Sequence, residues 1–121
     1  MREIKFNNAD DMLWTIQSGT DLYCEDKETY VFLFNNVGSI CVYQGIDKER
    51  ADELEENALA DDEYWGAYLG AGGFIIDSDE YYENRGESRP KWAESPIEWC
   101  ERMFDKNWVV CGYDKFSEVL K

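Results

Sequence analysis

The chain predicts an α+β domain, with an antiparallel sheet of about five or six short strands and three or four helices packed mainly on one face. Three observations predict it. Apolar and aromatic residues come in short strand-like runs, the strongest being Tyr30-Val31-Phe32-Leu33-Phe34. The runs form neighbouring pairs joined by turn chemistry, as antiparallel hairpins require. Helical segments are inserted between pairs and appended after them, and do not alternate with every strand as in a doubly wound parallel sheet. At 121 residues the chain suits one acidic domain, residues 1–121, without an internal repeat, linker or low-complexity stretch.

Each element follows from local residues. Arg2 to Phe6 alternates and reads as a short strand with Ile4 and Phe6 on one face. Asn8 caps a helix over residues 9–17, Asp10 and Asp11 sit in its first turn, Met12, Leu13 and Ile16 make its apolar stripe, and Gly19 ends it. Leu22-Tyr23-Cys24 is a weak strand, and Thr29 to Phe34 is a strong one rich in aromatic and β-branched residues. Asn35-Asn36-Val37-Gly38 supplies a turn, and Ser39 to Tyr43 returns as the second arm of a hairpin.

Asp47 caps a second helix to residue 60, with a narrow stripe of Ala51, Leu54 and Ala58. The stretch from Glu63 to Leu69 reads as helix or strand; a strand at Ala67 to Leu69 is preferred, turning at Gly70-Ala71-Gly72-Gly73 and returning as Phe74 to Asp77. Residues 78–92 are polar and read as a long loop or a single helical turn. Ser95-Pro96-Ile97-Glu98 is the clearest local signal, an N-cap, a first-turn proline and a capping box in succession. Its helix runs to Phe104, with Ile97, Cys100, Met103 and Phe104 inward. Trp108 to Cys111 reads as a strand, and Asp114 caps a last short helix bearing Phe116, Val119 and Leu120.

Composition narrows the function classes. There are 27 Asp and Glu against 12 Lys and Arg, a formal net charge of −15, and no histidine. A protein that neutralises phosphates needs a basic face, and this chain has no dense basic run. Direct nucleic-acid binding and anionic membranes are therefore not expected, and basic surfaces are. The aromatic share of 16% argues for a packed core despite the charge. The N-terminal residues lack the apolar core of a signal peptide, and no apolar run approaches the ~20 residues that span a bilayer, so a cytoplasmic location is expected. Cys24, Cys41, Cys100 and Cys111 form no C-x-x-C pair and read as buried, reduced thiols.

No cofactor, metal or catalytic motif stands out. Asp77-x-Asp79 opens like a calcium loop, but Tyr81 and Tyr82 stand where a ligand and the turn glycine are needed. Gly66 to Gly73 lacks the Lys-Ser/Thr of a phosphate loop and reads as a tight turn beside aromatics. Without an imidazole there is no base to activate a cysteine nucleophile. Paired carboxylates for glycoside hydrolysis are available, but the chain is short for a deep sugar cleft. Trp14, Trp99 and Trp108 read as core, and Trp65 and Trp92 as the exposed tryptophans.

Charge position is more informative than its total. Residues 47–65 hold 9 acids and 2 bases, residues 77–88 hold 5 acids and 1 base, and residues 89–121 hold 6 of each. A negative docking surface is therefore expected from Asp52, Glu53, Glu56, Asp61, Asp62 and Glu63, with Asp77, Asp79, Glu80 and Glu83 as a second patch. Tyr64, Trp65, Tyr81 and Tyr82 are its expected apolar anchors. The segment from Tyr30 to Asp62, strand, turn, strand and acidic helix, resembles a unit of the antirestriction DNA mimics over about a quarter of the chain.

The expectation is a non-enzymatic inhibitor that binds a basic nucleic-acid-handling protein, in the style of anti-CRISPR, antirestriction and nuclease-inhibitor proteins of phages and mobile elements. One alternative is an accessory interaction domain whose acids only keep it soluble. Another is a small hydrolase or carbohydrate-binding module.

Overall fold

The computed structural model of the protein describes residues 2–60 and 73–111, with the side chains of residues 3–54 and 73–111. The elements are β1 (Arg2–Ile4), α1 (Ala9–Gln17), β2 (Leu22–Cys24), β3 (Thr29–Leu33), β4 (Ile40–Gln44), α2 (Lys48–Ala60), β5 (Phe74–Ile76), α3 (Asp79–Asn84), α4 (Pro96–Met103) and β6 (Trp108–Val110). The strands make one six-stranded sheet in the order β1-β6-β2-β3-β4-β5, and every pairing is antiparallel. This is the expected α+β class. The expected strand at Ala67 to Leu69 and the helix after Asp114 lie outside the described residues, as does the side chain of Ala58.

Period-two alternation sorts the sheet into two apolar faces. Leu22, Cys24, Val31, Ile40, Val42, Ile76 and Trp108 point to one face, where α1 and α4 add Ala9, Met12, Ile16, Trp99, Cys100 and Met103. Tyr23, Tyr30, Phe32, Cys41 and Tyr43 point to the other, joined by Ala51 and Leu54 of α2 and by Cys111. Two helices thus share one face and α2 supplies side chains to the other. Because both faces are covered, Tyr30 to Phe32 and Ile40 to Tyr43 are buried without a break.

The caps predicted from sequence form in detail. The Asn8 side chain accepts from the Asp11 backbone N–H at 2.8 Å. At the other end of α1, Gly19 (φ +100°) donates to Ile16 O and Thr20 to Thr15 O, the two bonds of a Schellman motif. The Asp47 carboxylate accepts from Arg50 N at 2.8 Å and opens α2. Ser95 and Glu98 close the capping box of α4 from both sides. In the β3–β4 loop, Asn35 Oδ1 accepts from Val37 N and Ser39 N, standing in for backbone acceptors.

Tryptophan placement departs from expectation at one position. Trp99 and Trp108 are buried and lie with ring centroids 6.1 Å apart, whereas Trp14 is 70% exposed. On α1 the inward positions are Ala9, Met12 and Ile16, and Trp14 falls two residues from each of the last two, on the far side of the helix. Trp92 is exposed as expected.

On the tyrosine face, Tyr23 pairs with Tyr30 and Tyr30 with Tyr43 across neighbouring strands. The Tyr30 and Tyr43 rings stack with centroids 6.0 Å apart. Gly73 lies against the end of this row, where an added Cβ would come within 2.7 Å of the Tyr43 ring. A ring held on a buried sheet face cannot retreat cheaply. Gly73→Ala is therefore expected to destabilise the fold by about 1–3 kcal/mol, read as a lowered urea midpoint with unchanged m-value.

Candidate interaction surface

Three segments meet at the end of the sheet where β3 finishes and β4 begins: the end of α1, the β3–β4 loop and the start of α3. Gln17, the last residue of α1, donates from Nε2 to Gly38 O in the β3–β4 loop. Ser78, the N-cap of α3, donates from its hydroxyl to Val37 O at 2.6 Å and from its backbone N–H to Ser39 Oγ at 3.0 Å. The same hydroxyl accepts from Tyr81 N and so starts α3. From α3 a further tie runs onward, because Arg89 donates to Asp79 Oδ1 at 2.9 Å and to Glu94 O at 3.2 Å. Glu94 in turn accepts two bonds from Arg102 of α4, each 2.8 Å. The stretch expected to be a loop or a single turn is thus a short capped helix followed by a pinned turn.

The side chains of α3 divide into two sets. Asp79, Glu80 and Glu83 are exposed. Asp79 is paired with Arg89, whose side chain is only 15% exposed, while Glu80 and Glu83 enter no ion pair among the described residues. Tyr81 and Tyr82, expected as apolar anchors, are half-buried and lie edge to face, 5.3 Å between centroids. Each also carries a guanidinium of its own chain, Arg85 over Tyr81 at 5.4 Å and Arg89 over Tyr82 at 4.8 Å. One face of each ring is thus used within the molecule, on Arg85 at the end of α3 and on Arg89 in the segment that follows.

The acids of α2 start from the opposite end of the sheet. The chain leaves β4 after Gln44, Ile46 N donates to Glu28 O beside the β2–β3 turn, and α2 follows. Asp52 pairs with Lys48 and Glu53 with Arg50, both one helical turn apart. The two charges of the patch that lie within the described side chains are therefore partly neutralised in cis. The Glu56 side chain and residues Asp61, Asp62, Glu63, Tyr64 and Trp65 lie outside the described residues. The two acidic stretches are rooted at opposite ends of β4.

Burial sets the chemistry of the remaining groups. All four cysteines are buried free thiols. Loss of hydration pushes Cys41 and Cys100 up to about 12, so they stay protonated and are poor nucleophiles at neutral pH. Tyr23 is raised first by burial and then by Glu28, Asp47 and Glu25; its hydroxyl donates to Ile46 O at 2.8 Å. The bidentate Glu94 raises Arg102 further. Among the described residues, no group of three or more Cys, Asp or Glu side chains is arranged to hold a metal ion, and no helix is long and apolar enough to cross a membrane.

Sequence reasoning missed Arg85 and Arg89 as partners of the acidic Tyr-bearing segment. The signal was present: Arg85 follows Tyr81 by four residues, the spacing at which side chains meet on a helix. Arg89 lies beyond the helix and its contacts depend on the turn that follows. With these contacts in view, comparison with known proteins adds no relative. The chain matches no protein-family model, no curated protein and no solved structure.

Asp77 carries a pH signature. Burial raises its carboxyl above the usual range, against the opposing pull of Arg89 and Arg85. Below the titration range it is neutral in both states. Above that range it is ionised in both, and the folded state bears the desolvation cost, so its contribution to stability is lost as pH rises through its titration. Asp77→Asn is expected to raise the urea midpoint near neutral pH and to leave it little changed well below the carboxylate range.

Proposed function

We propose that the protein is a non-enzymatic inhibitor that binds a basic, nucleic-acid-handling protein through its acidic surface and acts in the cytoplasm. A nucleic-acid mimic of the anti-CRISPR, antirestriction or nuclease-inhibitor type works this way, by offering carboxylates where its target expects phosphates. One observation carries the reading: the charge excess is segregated, with residues 47–65 and 77–88 holding 14 acids against 3 bases while residues 89–121 are neutral. Support comes from the way α3 is mounted. Ser78 ties it to the sheet end and Arg89 ties it to the following turn, so Glu80 and Glu83 are presented on a braced element. Charges held in place steer and select a partner better than charges on a loose tail.

A second reading has an observation of its own. Asp52 and Glu53 are already paired within α2, which is what an accessory domain would show if its acids served only to keep it in solution. The two readings differ in what Glu80 and Glu83 do. Glu80→Gln with Glu83→Gln is expected to weaken binding to a basic nuclease target by about fivefold at low salt and to flatten its salt dependence. Affinity that is indifferent to both salt and these substitutions would favour the accessory reading.

A further inference from the structure

We propose that Trp92 is the apolar anchor of the α3 end of the molecule, and that the partner it fits is a basic protein surface containing an apolar slot for one indole. The inference rests on the acidic-docking reading above and adds a contact that this reading does not require.

Trp92 is 87% exposed, the most exposed large apolar side chain among the described residues. An isolated exposed tryptophan is by itself unremarkable, and Trp14 at 70% is an instance. The mounting of Trp92 sets it apart. Ala93 N donates to Pro90 O at 3.0 Å, so Lys91 and Trp92 occupy the tip of a four-residue turn. Both flanks of the turn are pinned. Arg89 spans its base, donating to Glu94 O and to Asp79, and Glu94 is gripped by both Arg102 bonds. Ser95 then enters the capping box of α4. The indole is held out from a braced turn, so less conformational freedom remains to be lost on binding.

The same ties identify the partner's character. Arg89 joins the turn directly to the first residue of α3, so Trp92 is presented by the same braced unit as Glu80 and Glu83. Residues 77–94 with Arg102 carry 6 acids and 4 bases, and Glu80 and Glu83 enter no ion pair among the described residues, which outweighs Lys91 at the tip and favours a cationic partner. Tryptophan is among the side chains most often found at interface hot spots, and this one is exposed on a pinned turn joined to a charged helix. Tyr81 and Tyr82 are only half-exposed, and one face of each already carries a guanidinium of its own chain, so Trp92 offers the larger free apolar surface.

Two peptides of equal positive charge test the proposal with the full chain: an amphipathic Leu/Lys helix and an oligolysine. The wild-type protein should prefer the Leu/Lys peptide by at least about tenfold. Trp92→Ala should abolish that preference and leave oligolysine binding unchanged, while Trp14→Ala should leave both intact. Circular dichroism checks that each variant is folded, as exposed positions allow. Equal preference in Trp92→Ala and wild type, or equal loss in Trp14→Ala, overturns the anchor while leaving the charge reading standing. Failure of the wild-type protein to bind either peptide at low salt overturns both.

Discussion

The β3–β4 ladder is the constraint on which the rest of the molecule depends. Its five registered pairs run from Thr29 opposite Gln44 to Leu33 opposite Ile40, and nearly every side chain on it is apolar. A strand that is apolar on one face needs one covering layer. A pair that is apolar on both faces needs two, and must also be extended at both edges by further strands. Hence β2 and β6 continue the sheet on one side and β5 on the other. Met12, Ile16, Trp99 and Met103 fill one face, and Ala51 and Leu54 of α2 lie against the tyrosines of the other. A shift of one residue in register would exchange the two faces and put tyrosine hydroxyls among Met12, Ile16 and Trp99.

The ends of this ladder then determine where charge is displayed. At the β4 start, Ser39 and Val37 hold Ser78, which begins α3, and Arg89 carries the tie on to the turn before α4. At the β4 end, the chain passes Glu28 and enters α2 through the Asp47 cap. The starts of α2 and α3 are thereby fixed at opposite ends of β4. The neutral C-terminal segment from residue 89 contributes to that frame too, since β6 lies between β1 and β2 and α4 packs with α1 in the core.

Local signals were legible wherever a short motif decides an outcome. Asn8, Gly19, Asp47 and Ser95 with Glu98 cap or end helices through contacts within a few residues, so their chemistry can be read without tertiary information. The hairpin at Asn35 to Gly38 is of the same kind. Trp14 was misplaced because a helix with Met12, Leu13 and Ile16 makes a stripe wide enough to invite a fourth large residue. Only the position of α1 against the sheet and α4 shows that its inward line is Ala9, Met12 and Ile16. Tyr81 and Tyr82 read as apolar anchors among acidic neighbours, and only the folding of α3 with the next turn shows that Arg85 and Arg89 each lie over one of these rings.

By itself, then, the sequence determined the fold class, the helix caps, the main hairpin and the segregation of charge, because these depend on spacing and on contacts near in the chain. The tertiary structure alone decided the order of the strands, the use of both sheet faces, and the pairing of Asp79 with a half-buried Arg89. It also decided that Trp92 stands on a pinned turn joined to α3. These depend on which segments meet across long stretches of chain. Such meetings are set by the need to cover both apolar faces of one sheet, a demand that no short window of residues expresses.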